Sequence, residues 1–240
     1  MEEDIKQPKQ FRNLVLDTMN QLMSDNVVEE FKKGLINRDK WRDFGVELLD
    51  FLSFIKTLPN VIPVGIYGYE ATGKTVGASF LNPEETYYVN LDKKPLSFSG
   101  WRKQYKVGKI SEGGNYNDTI TSYSTLKDLI KKVHENSKTP LIIYLLAHIE
   151  DYKTTENVVR QRLRIAGQVT HKYNIDGSLV HCYQSVIDPT LDWNDPNRYR
   201  LQVTNIGGLS IFRSPMGMWD KSHIPNNLQT ITEKILEEYQ

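Results

Sequence analysis

The stretch Val61-Ile-Pro-Val-Gly-Ile-Tyr-Gly-Tyr-Glu-Ala-Thr-Gly-Lys-Thr-Val-Gly-Ala-Ser-Phe-Leu81 decides the fold of this 240-residue chain. From Gly68 to Thr75 it matches G-x-x-x-x-G-K-[ST], the phosphate-binding loop motif. An apolar run typical of a β-strand precedes the motif, and small residues suited to a helix follow it. A strand, a glycine-rich loop and a helix in this order predict a binding site for a nucleoside triphosphate.

The residue types of the motif each have a chemical reason. Glycines allow the backbone to turn so that successive N–H groups converge on a phosphate. A helix that begins near Gly73 directs the positive end of its dipole, about half a charge, at the same anion. Lys74 supplies a cation, and the Thr75 hydroxyl is placed to ligate Mg²⁺, so we expect ATP and Mg²⁺ as cofactors. The predicted nucleotide-binding residues are Gly68, Tyr69, Glu70, Ala71, Thr72, Gly73, Lys74, Thr75 and Val76.

Composition and charge narrow the class of protein. Charged residues make up 25% of the chain and the mean hydropathy is −0.51, values typical of a soluble globular protein. The 30 basic and 30 acidic residues balance, so a nucleic-acid site requires a local basic patch. The single cysteine, Cys182, excludes a disulfide within the chain and favours the cytoplasm. The polar N-terminus is unlike a signal peptide, and no apolar run approaches the ~18 residues needed to span a membrane.

Residues 1–60 are interpreted as a helical N-terminal appendage that precedes a nucleotide-binding domain at residues 61–240. Apolar residues recur there at helical spacing. The three sets are Leu16, Met19 and Met23; Val27, Phe31 and Leu35; and Phe44, Leu48, Phe51, Ile55 and Leu58. Pro59 ends the last predicted helix. We expect the appendage to be structural or to contact another subunit.

The rest of the chain predicts an α/β domain with a mostly parallel sheet and late antiparallel strands. Thr86–Asp92 is interpreted as a second strand, and Ser124–Asn136 as a helix. Pro140–His148 is the most continuous apolar run, which is typical of a buried central strand. The expected late elements are strands at Leu179–Val186, Tyr199–Thr204 and Ser210–Arg213 and a helix at Leu228–Tyr239.

Several segments resemble RecA-like phosphate-loop ATPases encoded by phages, which are counted among single-strand annealing or recombination proteins. Besides the loop, the resemblance rests on Tyr87–Leu96, on the strand ending at Ala147-His148, on Arg213–Met218 and on Ile224–Leu228. It extends from Val61 to the C-terminus and is patchy between these segments. It implies a RecA-like core, ATP hydrolysis, a homo-oligomer assembled along single-stranded DNA, and a location in the host cytoplasm.

The resemblance also implies roles for individual residues. Asp92 would orient the attacking water, His148 would sense the γ-phosphate, and Arg213 would reach a nucleotide bound to a neighbouring subunit. With Lys74 these form the expected catalytic set, and Thr75 is the expected metal ligand. The plainer alternatives are a turn residue for Asp92, a hydrogen-bonded core histidine for His148 and an intrachain salt bridge for Arg213.

The chain departs from the family pattern at one strand. Such ATPases carry a further strand of four apolar residues that ends in an aspartate, which holds the water shell of Mg²⁺. Here the predicted helix runs almost directly into Pro140–His148, and no such strand lies between them. Glu150 and Asp151 could substitute but lie beyond the predicted strand end. Weak or absent hydrolysis therefore stays open.

Other interpretations also stay open from the sequence alone. Arg160, Arg162 and Arg164 fit either a solvated helix face or a DNA-facing loop. Trp101 and Tyr105 fit buried packing or stacking on bases. Two alternative functions are a small-molecule or nucleoside kinase, with the arginines as an anion-clamping lid, and a nucleotide-binding structural protein without hydrolysis. Phosphate transfer to nucleosides would favour the kinase, and tight ATP binding without turnover would favour the structural protein.

Overall fold

A computed structural model describes residues 12–17, 50–90, 96–105, 107–108, 116–136, 139–164, 179–204 and 211–239. Its strands are β1 Asn13–Asp17, β2 Val61–Gly68, β3 Thr86–Asn90, β4 Val107–Gly108, β5 Leu141–Lys153, β6 Val159–Leu163, β7 His181–Ile187, β8 Tyr199–Gln202 and β9 His223–Pro225. Its α-helices are α1 at 50–57, α2 Trp101–Gln104, α3 Tyr116–Asn136 and α4 Leu228–Glu238, with 3₁₀ helices at Val76–Phe80, Pro83–Glu85 and Pro196–Arg198.

The strands form one mixed sheet in the order β4-β3-β1-β5-β2-β7-β8-β9. Every neighbouring pair from β4 to β7 is parallel, whereas β8 and β9 are antiparallel additions at one edge. The predicted α/β class, with a mostly parallel sheet and late antiparallel strands, is confirmed. The strands predicted at Leu179–Val186 and Tyr199–Thr204 are present as β7 and β8, which pair in antiparallel orientation. Of the predicted strand Ser210–Arg213, the described part forms only a bridge between Arg213 and Cys182.

The prediction that residues 1–60 form a helical appendage is wrong for β1. Asn13–Asp17 is a fully buried strand in the interior of the sheet, paired in parallel with β3 on one side and β5 on the other. A strand that is buried on both faces is a continuous apolar run, and Leu14, Val15 and Leu16 fit that pattern as well as a helical one. The predicted helix around Phe51 and Ile55 is present as α1, and residues 18–49 lie outside the described ranges.

Helices cover both faces of the sheet. On one face, α1 and α3 pack on β1 and β5 through apolar side chains that include Phe51, Ile55, Leu126 and Ile130. On the other face, α4 packs through Leu228, Ile231 and Ile235 together with the 3₁₀ helix after the phosphate-binding loop. This layering leaves the carboxyl ends of the parallel strands as the edge where a ligand can bind.

Strand β5 extends beyond this edge. Its residues up to His148 pair with β2, and its residues from Ile149 to Lys153 pair with β6 in an antiparallel hairpin. The predicted helix and loop for the three arginines are wrong, because Arg160 and Arg162 lie in β6 and Arg164 follows it directly. Contact of these arginines with DNA stays a prediction. The hairpin projects on the side of the sheet edge where the phosphate-binding loop lies.

Candidate functional site

The phosphate-binding loop, residues 69–75, begins at the carboxyl end of β2, between β5 and β7. The sheet register places Gly68 beside His148 of β5 and Tyr67 beside Gln184 of β7. Because parallel strands end at the same edge, groups from three strands surround the start of the loop. The strand and loop predicted from the sequence are therefore both present.

Carbonyl groups of the loop accept hydrogen bonds from side chains that lie on its inner side. Lys74 Nζ donates to the carbonyls of Gly68 at 3.1 Å and Tyr69 at 2.7 Å. Ser185 Oγ, from β7, donates to the carbonyl of Thr72 at 2.6 Å. The carbonyl of Gly73 accepts from Asn226 Nδ2 at 2.7 Å. These bonds fix the carbonyls of four loop residues with side-chain donors from the loop, from β7 and from the segment after β9.

The N–H groups of the same loop are available to an anion. Within the described part of the chain, the backbone N–H groups of residues 70–73 donate no hydrogen bond to a protein acceptor. Ala71 and Gly73 adopt left-handed φ angles of 60° and 86°, which turn the chain back on itself. Successive N–H groups in such a turn form a concave donor site for anions. The loop therefore has the donors that a phosphate group requires.

The two glycines of the motif are required by close packing as well as by backbone angle. A Cβ atom on Gly68 would lie 2.8 Å from the carbonyl oxygen of Ser185, and one on Gly73 would lie 2.3 Å from the Tyr199 ring. Both distances are far below van der Waals contact. The approach of β7 and β8 to the loop thus depends on the absence of side chains at these positions.

The loop does not lead into the α-helix that the sequence predicts. Val76–Phe80 forms a 3₁₀ helix, and the extended Leu81 ends it before Asn82-Pro83. The hydroxyl of Tyr105 donates to the carbonyls of Ala78 and Leu81, which terminates the turn. A segment this short carries only a small dipole, so the expected helix contribution to phosphate binding is wrong. Anion binding must depend on the loop N–H groups and on Lys74.

Lys74 and His148 are in direct contact. The lysine is only 9% exposed, and its Nζ lies 3.0 Å from His148 Nδ1. Because an ammonium group only donates, the imidazole must accept at Nδ1 and is neutral. Burial of His148, and next the charge of Lys74, lower the histidine pKa to about 4. The structure thus brings Lys74 and His148 into contact, and the sensor role of His148 stays a prediction.

Asp17, which the sequence analysis did not select, closes β1 at the same edge. Its Oδ2 atom lies 3.4 Å from the hydroxyl of Thr75, the residue predicted to ligate Mg²⁺. Tyr88 of β3 donates a hydrogen bond to the same oxygen, and burial, followed by the charge of Asp17, holds the tyrosine pKa well above 10. Asp17 is 8% exposed. An apolar strand ending in an aspartate is therefore present, but it precedes the loop in the chain.

The donors at this position suit Mg²⁺ in the presence of phosphate. The described residues contain no group of three or more His, Cys, Asp and Glu side chains that could hold a metal ion. Mg²⁺ commonly takes only one or two protein ligands and completes its six-fold shell with phosphate oxygens and water. The Thr75 hydroxyl and the Asp17 carboxylate provide such a partial set.

The hairpin of β5 and β6 contacts the outer side of the loop. The Tyr69 hydroxyl donates a hydrogen bond to Asp151 and accepts one from Gln161. Burial, and next the hydrogen bond to Asp151, raise the pKa of Tyr69. Arg164 forms an ion pair with Glu70 at 3.0 Å. Two residues earlier, in β6, Arg162 pairs with Glu150 at 2.7 Å. Of the two residues considered above as substitutes for a missing aspartate, Asp151 thus binds the loop residue Tyr69 and Glu150 binds within the hairpin.

Of the other predicted catalytic residues, Arg213 is not brought to this site and Asp92 is not among the described residues. Arg213 pairs with Cys182, which lies opposite Gly65 and therefore three residues before the carboxyl end of β2. Its predicted contact with a neighbouring subunit stays a prediction. Asp92 lies outside the described residues, which end at Asn90 in β3 and resume at 96. Tyr105 is 4% exposed and packs against Tyr88, so the packing interpretation of that residue is confirmed.

Three residues that contact the loop or its threonine were missed by the sequence analysis: Asp17, Ser185 and Asn226. A signal existed for Asp17, because Asn13-Leu-Val-Leu-Asp17 is an apolar run ending in aspartate. Ser185 had the weaker signal of lying near the end of a predicted strand. Asn226 had no signal from its residue type, since asparagine is common at turns.

Comparison with protein-family models, curated proteins and solved structures finds no match to this chain. Across the described ranges, no helix is both long and apolar enough to cross a lipid bilayer.

Proposed function

We propose that this protein binds a nucleoside triphosphate with Mg²⁺ and hydrolyses it. The observation that carries the proposal is the contact between Thr75 and Asp17. It joins the hydroxyl of the phosphate-binding motif to a carboxylate at the end of a parallel strand. This pair supplies what the sequence appeared to lack for hydrolysis. It therefore favours an ATPase over a structural protein that only binds nucleotide.

The proposed site assigns a distinct task to each group. The outward N–H groups of residues 70–73 bind the phosphates, and Lys74 adds the charge for the β- and γ-phosphates. Neutral His148 holds the lysine at the strand end. Thr75 and Asp17 would hold Mg²⁺, which neutralises charge that develops on the phosphates. Asp92 stays the predicted residue for orienting the attacking water.

We further propose the RecA-like core and the single-stranded DNA partner that the resemblance implies. The interior position of the loop strand, with His148 and Asp17 at the carboxyl edge of the parallel strands, supports a RecA-like core. The DNA partner, assembly into a homo-oligomer and a role in phage recombination rest on the resemblance alone. Of the three arginines considered for DNA contact, Arg162 and Arg164 already pair with carboxylates.

Calorimetry with ATP and Mg²⁺, together with phosphate release with and without single-stranded DNA, tests the proposal. Binding and measurable turnover are expected, with faster turnover when DNA is present. Transfer of phosphate to nucleosides would support a kinase instead. Tight binding with no turnover in either condition would contradict hydrolysis and support a nucleotide-binding structural protein.

A further inference from the structure

The segment that joins β9 to α4 contacts the phosphate-binding loop from the far end of the chain. Asn226 is 4% exposed, and its Nδ2 donates to the carbonyl of Gly73 at 2.7 Å. Its own backbone N–H donates to the carbonyl of Tyr199 at 3.1 Å. The Tyr199 ring packs directly on Gly73, where it leaves no room for a Cβ atom. Gly73 is therefore held from two sides by the antiparallel edge of the sheet.

The hydrogen bonding of the Asn226 side chain indicates that its role is to hold the phosphate-binding loop. Its Oδ1 atom is buried and has no hydrogen-bond partner within the described residues. Leaving an acceptor buried and unpaired is unfavourable, so such a group in a folded protein requires an explanation. Among the described residues, the side chain of Asn226 hydrogen-bonds only to the carbonyl of Gly73. An apolar side chain could fill this space without the unpaired oxygen, but it could not orient the Gly73 carbonyl.

The orientation of that carbonyl decides the direction of the next N–H group. Gly73 has a left-handed φ of 86°, and its carbonyl also accepts a hydrogen bond from the backbone N–H of Val76 at 2.9 Å, in the turn that leads into the 3₁₀ helix. If the carbonyl rotated toward the mouth of the loop, it would present a negative dipole to the phosphates. It would also turn the N–H of Lys74 inward. The Asn226 amide is a second donor to this carbonyl, in addition to the Val76 N–H, and it opposes this rotation.

We infer that Asn226 is a positioning residue for triphosphate binding, acting through the Gly73 carbonyl. The inference rests on the proposed function, because it assumes that the loop binds a triphosphate. It assigns to the segment Pro225–Leu228 a role in ligand affinity that is separate from its role in starting α4. The neighbouring Asn227 has that second role, since its side chain accepts from the backbone N–H groups of Gln229 and Thr230.

The two adjacent asparagines provide a matched test. Affinity for Mg²⁺–ATP and thermal stability would be measured on the full chain for Asn226→Ala and Asn227→Ala. We expect Asn226→Ala to raise Kd by about tenfold, as for loss of one hydrogen bond to a loop in the required geometry. Asn227→Ala should lower Tm by about 2–4 °C and leave Kd within about twofold of the wild type.

An isosteric variant separates positioning from packing. Asn226→Asp keeps the size of the side chain but loses the donor, so Kd should rise at about pH 8. The buried carboxyl should have a raised pKa, and its protonated form can donate to Gly73. The ratio of variant to wild-type Kd should therefore fall as the pH is lowered. This variant also decides the question if Asn226→Ala does not fold.

Two results have different meanings. If the wild type binds Mg²⁺–ATP but Asn226→Ala, or Asn226→Asp at about pH 8, binds within about twofold of it, the inference is wrong and the proposed function stands. If the wild type itself does not bind, the proposed function fails and the inference fails with it. A loss of affinity in Asn227→Ala equal to that in Asn226→Ala would also overturn the inference, because it would indicate a general effect on α4.

Discussion

The phosphate-binding loop has two sides that differ in chemistry. On the side of β5, its neighbours are titratable or charged: His148, the hairpin residues Asp151 and Arg164, and, two strands away, Asp17. On the side of β7 to β9, three uncharged groups contact the loop backbone. They are the Ser185 hydroxyl, the Asn226 amide and the Tyr199 ring. In the proposed function, the first side supplies the groups that would bind phosphate and Mg²⁺, and the second side holds the loop backbone.

This difference indicates a division of tasks. A group that orients the loop should act equally in the empty and the ligand-bound protein, and a neutral donor does so because phosphate charge does not alter it. A group that binds phosphate or metal must respond to charge. Substitutions on the two sides should therefore affect different measurements.

Lys74→Ala should have the largest effect. It removes the cation on the charged side of the loop. A preorganised group of this kind contributes on the order of 3 kcal/mol to stabilising the charge of a bound group. Calorimetry should show that binding of Mg²⁺–ATP is lost or greatly weakened. Lys234→Ala is the control, because Lys234 lies in α4 and pairs with Glu237 on the surface. Unchanged affinity in Lys74→Ala would contradict the assignment of the loop.

Asp17→Asn should have the next largest effect, on turnover. The amide keeps the shape of the carboxylate but is a poor ligand for Mg²⁺, so hydrolysis should fall by about 10²-fold. Binding of ATP without metal should change little. Asp50→Asn is a suitable control, because Asp50 is exposed in α1 and pairs with Lys127. Equal turnover and equal metal dependence in wild type and Asp17→Asn would show that Asp17 only anchors Tyr88.

His148→Gln should change how stability depends on pH. The folded-state pKa of His148 is about 4, below the ordinary value of 6.5, because burial and then Lys74 disfavour the charged form. The unfolded chain therefore binds the proton more readily, and the free energy of unfolding falls as the pH drops from about 6.5 toward 4.

Urea unfolding at several pH values should show a smaller decrease in His148→Gln. His181 has a pKa lowered to about 4 by burial, so part of the acid sensitivity should persist in this variant. His181→Gln is the counterpart away from the loop: it should reduce acid sensitivity similarly without altering nucleotide affinity. The same pH dependence in His148→Gln as in the wild type would contradict the buried, neutral state of His148.

Arg164→Ala should have the smallest effect. Its ion pair with Glu70 is solvent-exposed on both partners, and such pairs contribute only about 0–1 kcal/mol. Stability measured by urea unfolding should change by no more than this amount. A larger loss, or a loss of nucleotide affinity as great as that in Lys74→Ala, would extend the charged side of the loop to include the hairpin.

The comparison of Lys74 and Asp17 shows what could be predicted and why. Lys74 and Thr75 belong to an eight-residue motif. Because they are neighbours in the chain, the motif alone predicts that both lie at the phosphate-binding loop. Asp17 meets Thr75 across 58 positions, and only sheet pairing decides that contact. The segment that ends in Asp17 was assigned to a helix because Leu16, Met19 and Met23 also fit helical spacing. A short apolar run is compatible with either a helix or a buried strand.

The prediction that the strand ending in an aspartate is missing also depends on where in the chain that strand is expected, which is after the phosphate-binding loop. Strand order in a sheet need not follow chain order, and β1 enters between β3 and β5 although it comes first. The hairpin of β5 and β6 was missed for a related reason. The apolar run that identified β5 ends at His148, whereas the last residues of β5 are polar and gain their strand structure from pairing with β6.

By itself, the sequence determined the phosphate-binding loop, the strand before it, the α/β class and the closing helix. Each of these depends on local spacing, on a run of apolar residues or on a capping signal. Only the tertiary structure decided that Asp17, His148, Ser185 and Asn226 surround that loop. Their contacts join residues far apart in the chain, and such contacts are set by which strands pair and in what register, which a local pattern does not contain.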